Sequence, residues 1–139
     1  MSRLSVSQSD IDFQNKILAE VSRTFALTIP KLPDNLVVAV SNAYLLCRIA
    51  DTIEDDPDLS FSEKKRYSDW FAQILRERSS ATEFSTELLT KLGAQTSQAE
   101  RSLIKETSKV LRVTYSLSIA QREAMLECVD TMIEGMVLY

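Results

Sequence analysis

Apolar positions recur along this chain at three- and four-residue spacing almost without a gap. Phe13, Ile17, Val21, Phe25 and Ile29 follow one another every four residues, the spacing that puts side chains on one face of an α-helix. Ser22 interrupts the run with a residue type that caps helices, so a break is expected there and a short second helix from Arg23. "IPKLPDN" ends this unit, because Pro30 and Pro33 disfavour helix in the residues before them, while Pro33 or Asp34 can open the next one. The following helix is expected from about Asp34 to about Asp55, closed by Pro57.

Beyond it, Ser60 and Glu63 are spaced as a capping box. They predict a helix through about Arg78 that carries Phe61, Tyr67, Trp70, Phe71, Ile74 and Leu75. "SSAT" at 79–82 reads as a loop, and a short helix from about Glu83 to Leu92 ends at Gly93. Ser97 with Glu100 opens a helix through about Leu111, and Ser118 with Gln121 opens a last one that is still helical in pattern at Tyr139. The terminal "CVDTMIEGMVLY" has no stop signal, and Gly135 in mid-helix predicts close approach of another backbone. Both features suggest a piece of something longer.

Composition turns this pattern into a fold class. Two glycines and three prolines in 139 residues are too few to punctuate a many-stranded sheet, so one all-α domain spanning 1–139 is expected. The absence of histidine excludes a Ser-His-Asp triad, a Cys-His pair and an HExxH zinc site within the chain. Cys47 and Cys128 lie far apart in sequence within apolar helical patterns, which suits reduced core residues and a cytoplasmic setting better than a zinc pair or disulfide. A net charge of -4 without a basic stripe argues against nucleic acid as a partner. The N-terminus lacks a signal-peptide apolar region, and the run at 36–50 is short and broken by Ser41, Asn42 and Arg48, so no membrane span is expected.

That run, "LVVAVSNAYLLC", leads into "RIADTIEDDPD", where five carboxylates fall within the eight residues from Asp51. At about 100° per residue Val37, Val40, Tyr44, Arg48, Asp51 and Asp55 share an arc of roughly 80°, while the remaining circumference is largely apolar. The expectation is a helix surrounded by protein, with its polar stripe facing an interior cavity. Asp51 and Asp55, one turn apart at about 6 Å, would repel by roughly 3 kcal/mol at an effective dielectric near 20. A hard divalent cation removes that cost. Oxygen-only donors point to Mg²⁺ or Mn²⁺, with most of the coordination shell left to water and phosphate oxygens. An EF-hand is excluded, since Asp56 stands where its glycine belongs and Ser62 where its glutamate belongs. The competing reading is a solvated acidic turn, although carboxylates at a helix C-terminus oppose the macrodipole. Upstream, Ser22-Arg23-Thr24-Phe25 offers a hydroxyl, a guanidinium and helix-start amides suited to phosphate, against ordinary capping with a surface arginine.

"VSRTFALTIPKLP" followed by "NAYLLCRIADTIEDD" resembles the N-terminal part of the squalene and phytoene synthases, the head-to-head isoprenyl diphosphate synthases, with both blocks in that family's order and spacing. The resemblance covers about residues 13–58 and implies an isoprenoid-synthase-type helical bundle, incomplete in this chain. It also implies that Asp51 and Asp55 are Mg²⁺ ligands assisted by Glu54, and that Ser22, Arg23 and Arg48 hold diphosphate. Phe25, Val40 and Tyr44 would stand beside the prenyl chain and the reacting centre. The reaction implied is condensation of two prenyl diphosphates through a cyclopropylcarbinyl diphosphate, with NADPH needed only if the product is squalene.

The family's second aspartate-rich motif is missing, because only Asp69 and Asp130 follow Asp58. Asp130 and Glu134, one turn apart, read as a solvated face. The chain alone is therefore expected not to turn over substrate. Self-association through unburied helix faces, and peripheral membrane association for an apolar product, complete the expected partners. Two other readings stand beside this one: a non-catalytic helical interaction module, and a segment of another aspartate-rich prenyltransferase or terpene cyclase.

Overall fold

Helical stripes of apolar residues can leave water only by packing helix against helix. The computed structural model describes residues 7–137, and these form eight α-helices and one 3-10 turn with no strand. α1 (Gln8–Val21) and α2 (Arg23–Thr28) meet at Ser22, whose extended backbone makes the expected break. The turn Ile29–Lys31 leads into α3 (Asp34–Asp55), followed by α4 (Phe61–Glu77), α5 (Thr82–Lys91), α6 (Gln98–Lys105), α7 (Thr107–Ser116) and α8 (Ile119–Val137). Residue 139, to which the last helix was expected to run, lies outside the described residues.

Both predicted capping boxes form reciprocally, Ser60 with Glu63 and Ser97 with Glu100, and Ser118 and Gln121 exchange the same pair of bonds. The helix expected over 98–111 is instead two helices with a break at Glu106. There the Thr107 hydroxyl bonds back to the Ile104 carbonyl at 2.7 Å, a local alternative to the helical ladder. Gly93 ends α5 without a left-handed backbone; a Cβ there would fall 2.1 Å from Asp58 Oδ2, so space is what demands glycine. Gly135 has nothing within 4 Å of a built Cβ, which corrects the expected backbone approach among the described residues. The left-handed residue is Arg78, at φ 55° after α4, with its guanidinium over the Tyr115 ring.

α3 is the hub, packing against α1, α4, α6, α7 and α8. Leu45, Leu46, Ile49, Ala50 and Ile53 are wholly buried on its inner face, the larger of them each contributing about 1.5–3 kcal/mol relative to exposure. α3 is long and apolar enough to cross a membrane by length and composition, but half of that stretch is buried inside the protein. Tyr67, Trp70 and Phe71 of α4 close over Phe84 of α5 as an aromatic cluster. Cys47 and Cys128 are both free, and despite their separation in sequence they lie close enough that Cys128 adds to burial in pushing the Cys47 thiol up to about 11. Cys128 is exposed, not core as expected. Asp130 is not merely solvated either: it pairs with Arg76 and ties α8 to α4, while Glu134 is exposed.

Two polar locks set how these helices sit. Asn42, fully buried on α3, donates through Nδ2 to Gln14 Oε1 of α1 and to the Val110 carbonyl of α7, both at 2.9 Å. Its Oδ1 accepts from the Thr114 hydroxyl at 2.6 Å, and Gln14 donates onward to the Val38 carbonyl. Asp10 of α1 is also buried and takes a two-pronged ion pair from Arg112 of α7, at 2.8 and 3.0 Å. These hydrogen bonds hold its carboxyl below the ordinary range, burial opposing them.

Asn42→Ala should therefore lower unfolding free energy by about 2–3 kcal/mol, because it strands the buried Gln14 and Thr114 groups; denaturant titration at neutral pH reads this directly. Asp10→Asn should cost about 1–2 kcal/mol at pH 7, the exposed flank of Arg112 keeping the figure small. Since the Asp10 pKa is lowered in the folded state, its contribution is present above the unfolded value near 4 and is lost as pH falls through the folded one. The variant should consequently lose less stability than the parent between pH 5 and 2, which a series of thermal melts would show.

Candidate active site

The stripe expected to carry the chemistry lies on the side of α3 away from the core. Val37, Val40, Tyr44, Arg48 and Asp51 are half-buried and Asp55 is exposed, while Leu36, one turn before Val40, is exposed as well. The expected helix surrounded by protein is thus covered fully on only one face by the described residues. Among the described residues, none covers the outer side of the stripe as fully as the core covers the opposite face. The reason is topological: the partners of α3 gather on the face that holds Leu45, Leu46, Ile49 and Ile53.

Among the described residues no side chain or backbone group donates a hydrogen bond to Asp51, Glu54 or Asp55, and none pairs with them as an ion. Burial raises the pKa of Asp51, the neighbouring charge of Asp55 raises it further, and nearby Arg48 only partly offsets this. Crowded, partly dehydrated carboxylates without protein donors suit a hard divalent cation. Among the described residues no three carboxylates or thiols converge as a closed cage. The donor set therefore fits Mg²⁺ or Mn²⁺ held by Asp51 and Asp55, with Glu54 beside them and the other positions open to water or phosphate oxygens.

The acidic run serves two purposes. Asp56, next in sequence to Asp55, is buried and accepts from the Gly93 amide at 2.8 Å, the Asp58 amide at 2.8 Å and the Thr96 hydroxyl. Burial opposes its ionisation, but these donors and nearby Arg101 outweigh it and lower its pKa. Asp56 is a structural clasp from the end of α3 to the loop between α5 and α6. Arg101 grips that loop by the Thr96, Leu92 and Gly93 carbonyls.

Arg48, expected to face diphosphate, donates Nη2 to Glu100 Oε2 of α6 at 2.8 Å, and its Nε is buried without a partner. Ser22 sits half-buried at the α1–α2 junction, its amide closing α1 on the Leu18 carbonyl. Tyr44 and Val40 pack against the edge of the core. The side chains of Arg23 and Phe25, both in α2, lie outside the described residues. Sequence reasoning missed Glu100 as part of the site and left Asp56 undistinguished among its neighbours. Glu100 carries a local signal only for capping; nothing local shows that its second oxygen meets an arginine 52 positions away.

A family model described as squalene/phytoene synthase matches residues 18–139. The squalene synthase of Schizosaccharomyces pombe is 29% identical over 124 residues, which cover 89% of this chain and 25% of that protein. A solved structure described as "The complex structure of TcSQS with ligand, E5700" superposes with a TM-score of 0.79 at 27% identity, covering 94% of this chain and 35% of that one. The chain thus spans about a quarter to a third of the length of these relatives.

The two kinds of aspartate should separate in a stability measurement. Asp56→Asn replaces an ionised acceptor of three donors and should cost about 2–3 kcal/mol. Asp51 has a raised pKa in the folded state, so its charge opposes folding above the unfolded value. Asp51→Asn should leave the midpoint of denaturation unchanged or slightly raised.

Proposed function

The chain belongs to the squalene/phytoene synthase family, and on that premise we propose that it works as the N-terminal portion of an enzyme condensing two prenyl diphosphates head-to-head. The observation that carries the reading is the pair Asp51 and Asp55, without a hydrogen-bond donor or ion pair among the described residues and on the same face of α3 as Arg48 and Tyr44. Asp51 and Asp55 would hold Mg²⁺, which would supply positive charge for the departing group.

The chain's own residues do the rest. Arg48 and Arg23 offer planar guanidinium forks that match diphosphate oxygens, and the Ser22 hydroxyl adds a donor at the helix junction. Val40, Tyr44 and Phe25 border the prenyl chain, where apolar and aromatic walls exclude water from a carbocation. Attack by the double bond of the second substrate on the allylic cation forms the cyclopropylcarbinyl diphosphate, with loss of one diphosphate and one proton. Reduction by NADPH follows only if the product is squalene. Both substrates and the second carboxylate cluster need walls beyond those the 139 residues supply, so this chain by itself binds metal and diphosphate without turnover. Both cysteines are free, in keeping with a cytoplasmic setting.

The test uses an enzyme carrying this segment, given farnesyl or geranylgeranyl diphosphate and Mg²⁺, with released diphosphate and cyclopropyl product measured. The Asp51→Asn, Asp55→Asn variant should lose at least about 100-fold in turnover while remaining folded. Parental turnover in that variant would rule the assignment out.

A further inference from the structure

We propose that Glu100 is a positioning residue for the acidic motif: by holding Arg48 it keeps that guanidinium off Asp51 and leaves the Asp51 carboxylate open to a cation. This rests on the reading of Asp51 and Asp55 as metal ligands.

Arg48 stands three residues before Asp51 on α3, a spacing at which opposite charges on a helix ordinarily meet. Among the described residues the pair does not form. Arg48 reaches instead to Glu100, and the two side chains are 32% and 18% exposed, so the bond is partly withdrawn from water and from screening salt. Glu100 is itself held. Its Oε1 accepts from the Ser97 amide at 3.3 Å and the Ser97 hydroxyl at 3.2 Å, which leaves Oε2 for Arg48.

The start of α6 is fixed in turn. Asp56 takes the Gly93 amide and the Thr96 hydroxyl, and Arg101 takes the carbonyls of the same loop. These bonds close a ring that leaves α3 at Asp56, passes through Gly93, Thr96, Ser97 and Glu100, and returns to α3 at Arg48. The ring spans the segment that contains Asp51 and Asp55. Capping α6 requires only one oxygen of Glu100; the other fixes the arginine beside the acidic pair. Once Glu100 loses its reach, the nearest carboxylate on the arginine's own helix face is Asp51, and a guanidinium there competes with any cation.

The probe is Mn²⁺ alone, without diphosphate, so that the proposed diphosphate contact of Arg48 plays no part; its binding to the whole chain is followed by electron paramagnetic resonance and calorimetry, with circular dichroism melts as a check on folding. The parent should bind Mn²⁺ in a manner that Asp51→Asn abolishes. Glu100→Asp keeps the charge but is one methylene shorter, and it should weaken Mn²⁺ binding about 10-fold. Adding Arg48→Gln to Glu100→Asp should bring Mn²⁺ affinity back to within about twofold of the parent, because no guanidinium is left to occupy Asp51. Glu100→Gln, whose amide still caps α6, is read in parallel and should lose a similar factor should the aspartate variant melt early.

Parental Mn²⁺ binding by Glu100→Asp would show that charge alone matters and would overturn the inference. So would a double variant as weak as the single one. A parent chain that binds no Mn²⁺ through Asp51 would remove the proposed function itself, and this inference with it.

Discussion

The buried amide of Asn42 sets the rotation of α3, and the placement of the candidate site follows from that rotation. An amide with no access to water must keep its partners, and those of Asn42 lie on two other helices, Gln14 on α1 and Val110 and Thr114 on α7. Turning α3 about its axis would break all of them together. At about 100° per residue, Asp51 lies nine positions on and so roughly 180° around the helix from Asn42. Fixing the amide inward therefore points Asp51 outward, and Tyr44, Arg48 and Asp55 fall within about 40–60° of the same direction.

The same logic explains why adjacent aspartates have opposite characters. Asp55 ends α3 on the outer face and is exposed, whereas Asp56 is the first residue past the helix and turns into the protein. There it meets three donors that leave its charge better satisfied than water would. Asp51 meets none among the described residues and has acidic neighbours, so its charge is tolerated because the rest of the fold holds it in place.

What the sequence made legible is what is encoded locally. α3 runs over Asp34–Asp55 as its prolines and apolar run predict, and the breaks and capping boxes at Ser22, Ser60 and Ser97 depend on residues within one turn of each other. The acidic motif and its stripe were legible for the same reason, since helical periodicity fixes which residues share a face. Pairings across the chain were not. The Arg48–Glu100 bond, the Asp56 clasp on Gly93 and Thr96, and the proximity of Cys47 to Cys128 depend on how α3 meets α6 and α8, and residue spacing along a single helix carries no information about that. The break at Glu106 was missed because one threonine hydroxyl outweighed a continuous apolar pattern. Gly93 was correctly placed at a helix end but for another reason, the closeness of Asp58.

The direction in which folding moves a carboxylate's pKa separates the two roles in this chain. Asp10 and Asp56 are lowered, because folding gives their charges donors and cations, and each contributes stability while ionised. Asp51 is raised, because folding partly buries its charge and sets other acids beside it, and it opposes stability while ionised. A side chain that folding penalises, and that no hydrogen bond among the described residues compensates, is difficult to explain as a structural element. Its cost is offset by the locks at Asn42, Asp10 and Asp56, which do not touch it, so the unpaired carboxylate and its mate Asp55 persist on a helix whose orientation is secured elsewhere. On the proposed reading, a divalent cation arriving there would meet carboxylates already aligned by the fold, and the free energy they lose to mutual repulsion would be returned on binding.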